Sequence, residues 1–157
     1  MVRQTLVGSD YGMLDRKTLE PNPDYYNSLL WKRLMGRRVL DLKVRGNNPY
    51  LRAYAHCRRD VADGAVLLLI NTHETSPASV RLPDGTSTIT RYDLSASSLD
   101  SRSLELNGKT LSLESGKLPE LEGRERVPSS SRIEIPPLQY SFIELPGLSV
   151  AACSNGA

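Results

Sequence analysis

Cysteine is scarce in this sequence: Cys57 and Cys153 are the only two in 157 residues. That excludes a disulfide-dense scaffold. With His56 and His73 at irregular, distant positions, the cysteines carry no zinc-ligand spacing either, so no metal is expected. Long apolar runs are also lacking. The longest, residues 65–70, is strand-sized and far from the ~20 apolar residues that cross a bilayer, so no transmembrane segment is expected. Met1-Val2-Arg3-Gln4-Thr5 has none of the apolar character of a secretory signal. No Asn-x-Ser/Thr acceptor occurs. Charge of one sign is missing too: 20 Lys and Arg stand against 18 Asp and Glu, a net charge of +2. No basic block is long enough to hold a phosphate backbone, which argues against nucleic acid as a partner. Arg37-Arg38 and Arg58-Arg59 read as solvated pairs. There is no Gly-rich phosphate loop and no Ser-His-Asp pattern, and no cofactor is expected. Taken alone, these absences suggest a cytosolic protein.

What is present is ordinary globular material, 39% apolar and 24% charged, long enough for one medium domain with a real core. Residues 3–7 are extended in character and end at Gly8. Asn22, Pro23 and Asp24 then write a helix start: a cap side chain, a proline at the first position and an acid in the first turn. Tyr26, Leu29, Leu30 and Leu34 follow as one apolar stripe. Lys32 and Arg33 suit the far end of the dipole, and Gly36 is the expected C′ stop. One strand–helix unit closes no core by itself, which suggests structure missing upstream.

After Gly36 the pattern turns to short strands, expected at 39–44, 50–57, 65–71, 79–82, 88–94, 103–106 and 110–114, then at 132–135, 139–145 and 148–153. Asn107-Gly108 between two such runs is a strong hairpin signal. Residues 116–131 lack periodicity and read as a long loop. Many short strands at this spacing predict an antiparallel β-sandwich, mainly β, preceded by the single strand–helix unit.

A set of segments carries a family resemblance, in order along the chain. They are Arg3-Gln4, Tyr11-Gly12, Pro21-Asn22-Pro23-Asp24-Tyr25-Tyr26, the run from Leu29 to Gly36, Leu51-Arg52-Ala53-Tyr54-Ala55-His56-Cys57, Ile70-Asn71, Val80-Arg81-Leu82-Pro83, Leu106-Asn107-Gly108, Tyr140-Ser141-Phe142 and Val150-Ala151-Ala152-Cys153. In these the chain resembles glycoside hydrolase family 79, the heparanase-like β-glucuronidases, and its plant members most. The resemblance implies a (β/α)8 barrel joined to a β-sandwich. Residues 1–36 correspond to the last strand and helix of an incomplete barrel, and residues 37–157 to the C-terminal sandwich.

Members of the family are retaining hydrolases of β-glucuronides, and such chemistry needs two carboxyl groups about 5–5.5 Å apart. Both family glutamates lie on barrel strands earlier than anything in this sequence, so the chain alone is expected to be inactive. Glu134 and Glu144, on sandwich strands, read as solvent-facing. The segment after the last barrel strand lies on the active-site face of such barrels. The resemblance therefore makes Ser9, Asp10 and Tyr11 the substrate-binding residues, next to a glucuronate carboxylate. The family usually has Gly-Asn-Tyr there. Ser9 replaces a glycine, and Asp10 replaces a neutral amide, so its charge would oppose a uronate if it faced inward. The family also implies a Cys57–Cys153 disulfide; two buried thiols are the alternative. A glucuronic-acid-containing glycan and the missing barrel segment are the implied partners. The implied location is secreted, cell wall, lysosome or vacuole. Two other readings stand beside this one. A stand-alone β-sandwich could bind carbohydrate or protein through Tyr50, Tyr54 and Tyr92. A poorly folded product would expose the Tyr26/Leu29/Leu30/Leu34 stripe. Trp31 is expected to pack the helix rather than to stack on sugar.

Overall fold

The computed structural model describes residues 5–43, 46–128 and 132–154. Among these residues one helix, α1 (Pro23–Leu34), precedes ten strands: β1 (Met35–Val39), β2 (Leu51–Arg58), β3 (Ala65–Asn71), β4 (Ala78–Arg81), β5 (Ile89–Ser95), β6 (Glu105–Leu106), β7 (Lys109–Thr110), β8 (Arg124–Arg126), β9 (Arg132–Ile135) and β10 (Gln139–Leu145). The chain is mainly β and every pairing is antiparallel. The main sheet runs β1-β2-β3-β10-β5-β6-β7, with β8 also paired to β5, and β4 and β9 form a second, two-stranded sheet.

The main sheet is covered on both faces. Val66 and Leu68 of β3, Tyr92 and Leu94 of β5 and Phe142 of β10 face α1, meeting Tyr26, Leu30 and Leu34. The alternate residues, Leu67, Leu69, Ile89, Ile143 and Leu145, face the opposite way and meet Ala78, Ile133 and Ile135 of the small sheet. This burial on both faces explains the near-continuous apolar run of β3, whereas β9 alternates exposed and buried residues as a one-faced strand does. At about 25 cal/mol per Å² of apolar area, fully covering one large side chain such as Phe142 or Leu30 contributes about 1.5–3 kcal/mol.

The stripe on α1 is therefore buried by the sheet of its own chain, with Leu29 packed partly against the same core. This burial gives no support to the alternative reading of a poorly folded product that exposes the stripe. It also removes the inference that the helix needs upstream structure to cover it. Trp31 packs edge-on against His56 of β2, ring centroids 5.1 Å apart.

Several boundaries differ from the sequence reading. Gly36 is not a C′ stop: the helix passes directly into β1 at Met35, whose backbone is extended. The glycine is required for another reason. A Cβ there would lie 2.7 Å from the Cys57 carbonyl oxygen, because β1 and β2 approach closely at that point. The strand expected at 39–44 is thus shifted to Met35–Val39; Leu40 still donates to the Ala55 carbonyl, and Val44 lies outside the described residues. Residues 148–153 are irregular chain and a turn rather than a strand, and the expected loop at 116–131 contains β8. Residues 5–7 are not strand, and Arg3 and Gln4 lie outside the described residues. The Asn107-Gly108 hairpin forms as expected, with φ of 54° and 80° at the two turn residues, the left-handed pair that a two-residue turn requires.

Cys57 and Cys153 form a disulfide, with Cα atoms 5.5 Å apart and a sequence separation of 96. Cys57 lies one residue before the end of β2, while Cys153 is held in a turn by its N–H donating to the Val150 carbonyl. Arg38 also donates to the Ala152 carbonyl, so β1 and β2 both fasten this C-terminal segment.

Candidate functional site

Residues 9–12 form a tight turn, with the Gly12 N–H donating to the Ser9 carbonyl at 3.1 Å. Ser9 is half-buried, its hydroxyl 3.4 Å from that of Thr5. Asp10 is exposed, and Tyr11 is 56% exposed. The three residues expected to touch substrate thus stand together on one surface loop ahead of α1. A small excursion closes the loop. Leu14 donates to the Leu6 carbonyl at 2.9 Å and bridges to Pro21, while Asp15 and Glu20 are joined backbone to backbone at 2.8 Å.

Asp15 organises that excursion. Its carboxylate accepts the N–H groups of Lys17 at 2.8 Å and Thr18 at 2.9 Å, and Arg102, from the sandwich loop before β6, reaches it at 3.3 Å. The backbone bonds, first from Thr18 and then from Lys17, hold its pKa below the usual carboxylate value. Ser9, Asp10, Asp15, Arg16, Lys17 and Arg102 line a shallow cleft of about 230 Å³. An ionised, fully engaged Asp15 is unsuited to deliver a proton as a general acid.

Asn22 stands at the helix N-cap, yet its side chain makes no capping bond. Its Nδ2 donates instead to the Gly12 carbonyl at 2.8 Å, and its N–H donates to the Met13 carbonyl at 2.9 Å. The sequence reading placed this residue correctly and gave its amide the wrong partner.

The remaining acids of note are structural. Glu144 is not solvent-facing: it accepts from Arg58 Nε at 3.2 Å and from the Tyr92 hydroxyl at 3.2 Å. Glu134 is exposed. Asp93 accepts from Arg91 at 2.8 Å and from the Ser141 hydroxyl at 2.6 Å inside the main sheet. Tyr92 is buried beneath the guanidinium of Arg33, 5.7 Å from its ring centre, so it offers no face to a sugar. Tyr50 and Tyr54 are each 47% exposed. Both histidines have local tasks. His56 Nδ1 meets the Gly36 carbonyl at 2.7 Å, and His73 Nδ1 accepts the N–H groups of Thr75 and Ser76.

No protein-family model matches the chain. Individual sequences do. Baicalin-β-D-glucuronidase of Scutellaria baicalensis is 38% identical over 162 residues, covering 99% of this chain and 30% of that protein. Heparanase-like protein 1 of Arabidopsis thaliana is 36% identical over 188 residues, covering 97% of this chain and 34% of that protein. The chain resembles the heparanase-like glucuronidases. Mouse heparanase is similar as well, at 33% identity over 98% of this chain and 30% of its own length. The chain thus spans 30–34% of the length of these curated relatives. In structure it is similar to the GH51 α-L-arabinofuranosidase of Thermotoga petrophila RKU-1, with a TM-score of 0.56, 15% identity, and coverage of 83% of this chain and 30% of that one. At that identity the likeness concerns the fold alone. No helix among the described residues is long and apolar enough to cross a membrane.

Proposed function

We propose that this chain is the C-terminal part of a heparanase-like endo-β-glucuronidase and that it supplies the substrate loop and the β-sandwich but not the catalytic carboxyl pair. On this reading residues 1–36 are the last strand and helix of a (β/α)8 barrel, and residues 37–157 are the sandwich domain. The observation that carries it is the combination of 97–99% coverage of this chain with only 30–34% coverage of its plant glucuronidase and heparanase-like relatives. The state of the acids supports it. Asp15, beside the loop, is locked by backbone N–H groups, and Glu144 is paired with Arg58 within the sheet. Neither is set up as half of a retaining pair.

Ser9, Asp10 and Tyr11 bind a β-linked glucuronide in this proposal, with the Tyr11 hydroxyl directed at the uronate carboxylate. The substrate is a glucuronide-containing glycan or a smaller glucuronide. The barrel is the partner that completes the site. The disulfide supports residence of the parent protein in the secretory pathway, the cell wall or a lysosome or vacuole, since such bonds persist in oxidising compartments. The alternative of a free-standing binding module has less support. It needs a row of exposed aromatics, and burial of Tyr92 removes one of its three candidates.

The test is a fusion of this chain to the upstream barrel of the Scutellaria glucuronidase, in place of that enzyme's own C-terminal part. Tyr11→Ala should raise KM for a chromogenic β-glucuronide at least tenfold, while Tyr54→Ala, at another exposed tyrosine, on β2, should not. Equal effects from the two substitutions would remove Tyr11 from the site.

A further inference from the structure

An asparagine at a helix N-cap ordinarily turns its side-chain oxygen onto the N–H groups of the first turn, a bond whose loss costs about 1 kcal/mol. Asn22 forgoes that bond. Both of its donors point backwards, the side-chain amide to the Gly12 carbonyl at 2.8 Å and the backbone N–H to the Met13 carbonyl at 2.9 Å. Those carbonyls belong to the two residues immediately after Tyr11. We infer that Asn22 is a positioning residue for the substrate loop, fixing where the Tyr11 hydroxyl stands relative to the fold. The inference rests on the assignment of residues 9–11 to uronate binding and adds to it the residue that sets their geometry.

Three other ties of the loop serve this purpose less well. The Gly12 to Ser9 bond closes the turn upon itself, and the Leu14 to Leu6 bond joins two segments of the same excursion. Neither connects the turn to the core. The Arg102–Asp15 contact does reach the sandwich, but the Arg102 side chain is 73% exposed. Exposed pairs of this kind contribute about 0–1 kcal/mol and weaken with salt. The helix is a better anchor because Tyr26, Leu30 and Leu34 fix it in the core, and the bond from the Asn22 amide is partly shielded from water. Gly12 adds a steric condition: a Cβ there would lie 3.1–3.3 Å from the carbonyl oxygens of Leu14, Leu6 and Ser9, so the chain at this point has little room to shift.

A capping role and a positioning role respond oppositely to one isosteric change. Asn22→Asp keeps a favoured cap acceptor but cannot donate to the Gly12 carbonyl, and it sets a negative oxygen against it. In the 157-residue chain, amide hydrogen exchange of Gly12 and Leu14 should quicken about fivefold or more, the equivalent of one net hydrogen bond. The ring resonances of Tyr11 should move, while the amides of Leu30 and Leu34 and the melting temperature stay as they were. Asn22→Ser, a strong cap too short to reach Gly12, should give the same pattern and guards against a folding defect peculiar to the aspartate. Unchanged exchange at Gly12 in both variants overturns the inference. So does loosening of the helix and the loop together, which marks a plain cap. In the barrel fusion, Asn22→Asp should raise KM several-fold with kcat within about twofold, and an unchanged KM alongside a loosened loop also overturns it. If Tyr11→Ala itself leaves KM unaltered, it is the assignment of the loop that fails, and the exchange result still reports on Asn22.

Discussion

Opening the Cys57–Cys153 bridge should remove a large part of the stability of this chain. The bond spans 96 residues, nearly the whole sandwich. In the chain-entropy picture, cross-linking a loop of about that length restricts the unfolded ensemble by about 4–5 kcal/mol. Small domains are stable by about 5–15 kcal/mol in all, so the loss is about a quarter of the total or more. Native contacts change less. Cys57 stays in its ladder opposite Ala65, and the segment carrying Cys153 keeps the Arg38 contact to Ala152 and the turn bond to Val150. The assay is urea unfolding of the oxidised chain, of Cys57→Ala, of Cys153→Ala and of the double variant. Each single variant should lose about the same free energy as the double, because either one opens the bridge, and the slope should rise as the freed chain exposes more surface. A loss below about 1 kcal/mol, or single losses that add up in the double variant, would refute the reasoning.

Gly36→Ala should destabilise by about 1–3 kcal/mol or more, because its Cβ would meet the fixed carbonyl oxygen of Cys57 at 2.7 Å rather than a movable side chain; thermal melting reads this, and a neutral effect would mean that β1 and β2 can part at little cost. Asn71→Ala should cost about 1–3 kcal/mol, since Nδ2 satisfies the carbonyls of Ser76, Ile135 and Pro136 where the two sheets meet; hydrogen exchange should show β9 loosening first. Burial raises the pKa of Tyr92, with the Glu144 carboxylate adding to it, and raises that of Tyr140 further. Both phenols stay neutral in the fold while their unfolded counterparts ionise near pH 10. Their contribution is thus intact below pH ~10 and is lost as pH rises above it. Urea midpoints between pH 8 and 11 should be flat and then fall, and Tyr92→Phe with Tyr140→Phe should flatten the fall.

The strands that were legible in the sequence are those whose burial leaves a periodic trace. The apolar run of β3, the alternation of β9 and the whole of β10 were found at their observed bounds. β8 left no such trace. Arg124, Glu125 and Arg126 are all exposed and charged, and the strand exists only because it pairs with β5 at the sheet margin. The 148–153 segment misleads in the opposite direction: its apolar residues are held by turns and a disulfide, not by a ladder. At Gly36 a glycine after an amphipathic helix looked like a stop, whereas the cause is a close approach of two strands distant in sequence, which no local pattern encodes. At the candidate site, the grouping of Ser9, Asp10 and Tyr11 came from resemblance alone. The N-cap position of Asn22 was legible from Asn-Pro-Asp, but the partner of its amide depends on how the loop folds back.

The most direct measurement of the central claim is turnover of a chromogenic β-glucuronide by the purified chain alone, at high enzyme concentration and over a wide pH range. The account predicts none, because the chain brings a substrate loop without a nucleophile and acid/base pair, and predicts activity once the upstream barrel is joined to it. Turnover by the chain alone that disappears on replacing one of its own acids, such as Asp10 or Asp15 by the corresponding amide, would contradict the account.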